Sequence, residues 1–154
     1  MTCIAWDGKC LAADKQATEG GIRHITTKIK RVDQGKFKGY LIAAAGATSQ
    51  ANHMMAWFEC GAEPDAFPKY QETEELSAQL LVITPNKEIL RFDFNPIPCV
   101  FYDEQYAIGS GRDVAIGAMA MGASAIEAVE VASELCSGCG MGIDAIYLKN
   151  KRRK

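Results

Sequence analysis

Long apolar runs are absent from this 154-residue sequence, and none reaches the roughly 18 residues of a membrane-spanning helix. The first ten residues, MTCIAWDGKC, lack the basic flank and apolar stretch of a signal peptide, so a cytoplasmic protein is expected. Histidine is scarce. His24 and His53 stand apart, with no second His at metal-ligand spacing. Strong net charge is lacking too, the formal value being −2. Five of the 17 basic groups fall in the last six residues, which leaves 12 basic against 19 acidic groups in the body. An acidic body argues against a nucleic-acid-binding face on the fold itself. The tail from 149 to 154 reads as a solvated, disordered terminus rather than an interaction arm.

Cysteine is present six times, at Cys3, Cys10, Cys60, Cys99, Cys136 and Cys139, but without any sign of secretion that would turn an even count into disulfides. Cys136-Ser-Gly-Cys139 is a C-x-x-C, yet zinc needs two further ligands and no second C-x-x-C exists. These residues read as small buried apolar groups, and neither a metal nor a cofactor is expected. Gly109-Ser-Gly111 opens like a dinucleotide fingerprint, but Val114 stands where the third glycine is required, and a nucleotide site is rejected.

What is present is periodic. Thr2–Trp6 and Lys9–Ala13 flank Asp7-Gly8, a strong hairpin signal. Ile22 to Val32 reads as one further strand segment, and Tyr40–Ala45 as a strand covered on both faces. Ala51, Met54, Met55 and Phe58 recur at helical spacing after a Thr48 or Ser49 cap, and Gly61 follows where a helix ends. Pro64 and Pro68 break the pattern, leaving room for a short helix around Glu72 to Ser77. Leu80–Thr84 and Glu88–Asp93 flank Pro85-Asn86 as a second hairpin. A strand at Tyr106–Ile108 runs into a helix rich in Ala and Gly, and Ser124-Ala-Ile-Glu127 is a capping box for the next helix. That last helix carries an apolar stripe of Ile126, Val129 and Ala132, and a final strand spans Gly142–Leu148. Hairpins outnumber β-α-β units, so a mostly antiparallel arrangement with outer helices is expected, in one domain over residues 1–148.

One constellation carries chemistry. A threonine hydroxyl needs a neighbouring base, and the α-amine of an N-terminal threonine, with an ordinary pKa of about 7.7–8.0, can be that base. Met1 ahead of the small Thr2 is a context for removal of the initiator methionine. Thr2-x-Ile-Ala-x₂-Gly8, Leu11-Ala-Ala-Asp14-x-Gln-Ala-Thr18, Lys28-Ile29, Ala45-Gly46-Ala-Thr48 and Ile108-Gly-Ser-Gly111 follow in order. This ordered set resembles the proteasome β-type and HslV-like threonine hydrolases along nearly the whole chain.

The resemblance implies a four-layer α/β/β/α sandwich of the N-terminal-nucleophile class and cleavage of peptide bonds. By the same resemblance Thr2 is the nucleophile, Lys28 a charge beside its amine, Asp14 the partner of Lys28, and Gly46 the oxyanion donor. Ser110, Glu134 and Ser137 are implied near the amine, with Glu134 standing where the family has Asp. Substrate contacts fall on Ala17, Thr18, Thr26, Ala44 and Thr48, implying a small or medium apolar preference. A homo-oligomeric ring, an unfolded-protein substrate and an ATP-dependent unfoldase partner follow by the same analogy, although the proline-broken 62–77 segment replaces a long family helix. No propeptide is expected ahead of Thr2. The alternative is a non-catalytic ring or scaffold subunit that keeps Met1. Intact-mass measurement separates the two: the purified hydrolase is expected to start at Thr2, and retention of Met1 in most molecules contradicts it.

Overall fold

The computed structural model describes residues 1–69 and 77–149. Residues 72–76 of the short expected helix, and residues 150–154 of the basic tail, lie outside the described residues. Among the described residues no helix is long and apolar enough to cross a membrane.

The fold is mixed α+β. The chain begins with a hairpin of β1 (Ile4–Trp6) and β2 (Cys10–Asp14), in which Trp6 faces Leu11. Its connection is longer than a two-residue Asp-Gly turn. The Asp7 carboxylate accepts from the Lys9 and Cys10 amides at 2.9 and 2.8 Å, and Gly8 takes a φ of +90°. A side-chain turn of this kind replaces the expected two-residue turn. Next come β3 (Gln16–Glu19) and β4 (Ile22–Ile25), a separate two-stranded hairpin turned by Gly20-Gly21. The expected strand from Ile22 to Val32 is therefore split: β5 (Ile29–Arg31) starts after Thr26-Thr27-Lys28 and joins another sheet. Ile22, Ile25 and Ile29 recur on both sides of the break, so pattern alone does not mark it.

β6 (Leu41–Gly46) leads to α1 (Thr48–Glu59), then β7 (Ala78–Ile83), β8 (Ile89–Phe92) and β9 (Cys99–Phe101). The N-cap of α1 is Ala47, with no side-chain hydrogen bond, rather than Thr48 or Ser49. β10 (Tyr106–Ile108) precedes α2 (Arg112–Ala120), α3 (Ala125–Leu135) and β11 (Ile143–Tyr147). The capping box at Ser124 and Glu127 is formed as expected. The buried face of α3 is Ala125, Ala128, Val129 and Ala132; Ile126 lies only partly buried at its margin.

Strands order as β10-β1-β2-β11 in one sheet and β5-β6-β7-β8-β9 in the other, antiparallel throughout. Period-two alternation then sorts the core. Ile4, Trp6, Leu11 and Ala13 from the first sheet meet Leu41, Ala43, Leu81 and Ile83 from the second in one buried cluster. The opposite faces of the same strands go elsewhere. Cys3, Ala5, Cys10 and Ala12 pack under α2 and α3. Ile42, Ala44, Leu80 and Val82 pack under α1 with Met54, Trp57 and Phe58. Small residues on β1, β2, α2 and α3 allow those helices to approach closely, whereas edge-to-face aromatic contacts such as Trp57 with Phe92 fill the α1 side.

Asp7 joins two elements. Its second carboxylate oxygen accepts from the Ala125 amide at 2.9 Å, so one side chain closes the β1–β2 turn and caps α3. Asp7→Ala is expected to cost about 2 kcal/mol, against about 1 kcal/mol for Ser124→Ala, which removes only a cap. Urea denaturation of both variants tests this, and equal losses would contradict the bridging role.

Candidate active site

Thr2 sits just ahead of β1 and is 4% exposed. The turn from β10 into α2 fixes it there. Its amide donates to Ser110 Oγ at 3.0 Å, and its carbonyl accepts from the Gly111 amide at 3.0 Å. Gly109, with φ +92°, presses against the Thr2 carbonyl so closely that no β-carbon fits. The Gly-Ser-Gly segment thus serves close backbone approach, which is why it imitates the start of a phosphate loop without completing one.

Below Thr2 lies a buried ion pair. Asp14, at the end of β2, is fully buried, and its Oδ1 is 2.8 Å from Lys28 Nζ. The same oxygen accepts from the Cys3 amide at 2.8 Å; Oδ2 accepts from the Gln16 and Gly140 amides at 3.1 and 3.0 Å. Three main-chain donors and one ammonium surround one carboxylate, the condition under which a buried charge is tolerated. The same Lys28 ammonium also faces the N-terminus. Its Nζ lies 3.5 Å from the Met1 carbonyl oxygen, to which Thr2 Oγ1 donates at 2.7 Å. A hydroxyl and a cation therefore converge on one carbonyl oxygen. Burial, and then neighbouring Cys139 and Asp14, push the Cys3 thiol up to about 12, so this adjacent sulfur is not a competing nucleophile near neutral pH.

Two clefts meet at Thr2. The first, of about 360 Å³, is lined by Ala17, Thr18, Thr26, Ala44 and Thr48, together with Thr2, Lys28 and Gly46. The second, also about 360 Å³, runs from Thr2 past Ser110 to Arg112 and Asp113. Met1, Thr2, Gly46 and Ser77 belong to both. Gly46, φ +111°, ends β6 against the Ser77 carbonyl, where no side chain fits.

The structure brings together Thr2, Asp14, Lys28, Gly46 and Ser110 with the five cleft residues. Glu134 and Ser137 have exposed side chains, and this segment reaches the site through main chain instead: the Ser137 carbonyl accepts from Gln16 Nε2 at 3.1 Å, and Gly140 donates to Asp14. Sequence reasoning missed Gln16, Asn52 and Met55 as cleft residues. Asn52 and Met55 follow Thr48 at helical spacing, and Gln16 lies within the Asp14–Thr18 motif, so a signal existed for each.

No family model matches the sequence, and no curated protein sequence matches it. Solved structures do. Thiobacillus denitrificans BPH is 19% identical over 99% of this chain and 100% of its own, with a TM-score of 0.66. BPH in complex with epoxomicin gives 20%, 97%, 100% and 0.66. Eukaryotic HslV from Trypanosoma brucei is 20% identical over 97% of this chain and 99% of its own, with a TM-score of 0.67. The chain has an HslV-type, proteasome-like fold. Within that HslV-type fold, Thr2 lies where both clefts meet, Lys28 lines the first of them, and Asp14 is buried behind Lys28.

Removing either member of the pair has unequal consequences. Lys28→Met leaves Asp14 its three amide donors and is expected to cost about 3 kcal/mol; Asp14→Leu orphans three amides and an ammonium and is expected to cost about 5 kcal/mol or more. Denaturant titration that finds Lys28→Met the more damaging change would refute Asp14 as the anchor.

Proposed function

We propose that the chain is a threonine peptidase that cleaves peptide bonds with Thr2 as its N-terminal nucleophile. The observation that carries this reading is the position of Thr2 where two clefts join, with the buried Asp14–Lys28 pair beside it. A peptide needs space on both sides of its scissile bond, and the two clefts supply it.

In this reading, removal of Met1 turns the Thr2 amide nitrogen into an amine beside Ser110. The amine takes the proton from Oγ1 as the oxygen attacks the substrate carbonyl carbon. Lys28 lowers the amine's proton affinity and favours the negative charge developing at the hydroxyl oxygen. The Gly46 amide stabilises the oxyanion, a contribution worth about 2.7–4 kcal/mol in such sites. The amine then hands its proton to the leaving nitrogen, and water resolves the Thr2 ester by the same steps in reverse. Ala17, Ala44 and Thr48 favour a small or medium apolar substrate side chain in the first cleft, and no cofactor takes part.

Around this site we propose one domain over residues 1–148, with the two sheets stacked between α1 on one side and α2 with α3 on the other, the four-layer arrangement. Exposed Ile116, Met121, Val131 and Leu135 on and beside α2 and α3, and Ile22 and Ile25 on β4, suit contacts between copies in a homo-oligomeric ring. A cytoplasmic setting, unfolded-protein substrates and an ATP-dependent unfoldase partner complete the proposal. One observation favours the alternative of a non-catalytic subunit that keeps Met1: its side chain packs tightly on Gly138, and its carbonyl already occupies the Thr2 hydroxyl.

Fluorogenic-peptide hydrolysis decides between them. Thr2→Ala is expected to abolish turnover while the domain stays folded, Thr2→Ser to keep part of it, and Lys28→Met to lower it by about 10²–10³-fold. Epoxomicin is expected to bind the wild type and not Thr2→Ala. Wild-type turnover by Thr2→Ala would end the proposal.

A further inference from the structure

Behind the nucleophile lies a cluster of three cysteines that the peptidase reading does not use. Cys3 follows Thr2, and both Cys3 Sγ and Cys139 Sγ lie within 3.2 Å of the point where a Gly111 β-carbon would sit. Cys139 also lies beside Ser110, whose hydroxyl accepts from the Thr2 amide and donates to the Thr2 carbonyl. Cys136 is partly exposed, whereas Cys139 and Cys3 are buried. The Cys139 amide donates to the Cys136 carbonyl at 2.9 Å, so the C-x-x-C segment is a β-turn. Ends of such a turn stay within about 7 Å, and a disulfide spans Cα atoms about 4.4–6.8 Å apart.

We infer that Cys136 and Cys139 form a peroxide-sensitive thiol–disulfide switch that controls the Thr2 site. This inference rests on the peptidase reading only for its effect on activity. The exposed sulfur reacts first. The Cys136 thiolate attacks one oxygen of a hydroperoxide, the O–O bond breaks, and an alcohol or water leaves after taking a proton; Cys136 becomes a sulfenic acid. The Cys139 sulfur then attacks the Cys136 sulfur. An S–S bond forms, and the sulfenic hydroxyl departs as water with the Cys139 proton. Two thiols are oxidised and one peroxide is reduced, and a dithiol reverses the change by exchange.

The coupling to Thr2 is geometric. Drawing Cys139 Sγ toward Cys136 removes it from Ser110 and from the packing against Gly111. It also tightens the turn that supplies the Gly140 amide to Asp14 and the Ser137 carbonyl to Gln16. Asp14 in turn holds Lys28 and the Cys3 amide. Burial raises the thiol pKa of both Cys3 and Cys139, so neither meets the peroxide first, and Cys139 resolves because the turn holds it beside Cys136. Exposed Cys60 and Cys99 stand outside this cluster.

The test treats the purified full-length protein with hydrogen peroxide and reads three signals. Peptide mapping is expected to find a Cys136–Cys139 disulfide, with the mass of two hydrogens lost. Amide exchange at Cys3 and Gly140 is expected to quicken by about tenfold or more. Peptide hydrolysis is expected to fall by about tenfold or more and to return with dithiothreitol. Cys136→Ser is expected to block all three changes, and Cys60→Ser with Cys99→Ser to block none. No disulfide, a bond to Cys3 instead, or a disulfide that leaves amide exchange unchanged would overturn the switch. If the reduced wild type hydrolyses no peptide, the peptidase proposal falls, while the disulfide and exchange signals still decide the switch.

Discussion

The Asp14 carboxylate is the constraint on which the rest of the site depends. It lies wholly inside the protein, and such a charge is tolerated only with strong partners on both oxygens. Those partners come from four places in the chain: the Cys3 amide at the start of β1, the Gln16 amide at β3, Lys28 before β5, and Gly140 before β11. One buried acid thereby ties the N-terminus, the two-stranded hairpin, the second sheet and the segment after α3. Replacing the ion pair by apolar groups would leave three amides without acceptors, so stability and site geometry rest on the same contacts.

Steric constraints act beside the electrostatic one. Gly109 lets the β10–α2 turn close on the Thr2 carbonyl, and Gly46 lets β6 end against Ser77. Both glycines take positive φ, and at both a β-carbon would strike main chain, so space and conformation exclude side chains independently. The result is a threonine held by its backbone on one side and facing two open clefts on the other. A hydroxyl positioned in this way moves little, and such preorganisation is what acyl-transfer chemistry requires.

The turn from Cys136 to Gly140 shows how an unremarkable segment acquires influence. Its side chains include exposed Glu134 nearby and exposed Ser137, but its contribution to the site is a carbonyl, an amide and a buried sulfur. Of these, the Gly140 amide ties the main chain of the turn directly to the Asp14 carboxylate.

Much was legible in the residues alone. Apolar runs and turn residues marked most strands of both sheets but not β9, Ser124-x-x-Glu127 marked the start of α3, and the resemblance carried by Thr2, Asp14, Lys28 and Gly46 marked residues that meet. The strand and helix signals were readable because each depends on side-chain type at short or repeated spacing, whereas the site residues were read from the resemblance to the threonine hydrolases. Tertiary structure alone decided that the segment from 22 to 32 splits between two sheets, that Asp7 caps a helix 118 residues away, and that the segment after α3 reaches Asp14 through the Gly140 amide. Every residue but proline carries the same amide, so a main-chain donor leaves no mark in sequence, and only the folded path of the chain selects which one meets a buried carboxylate.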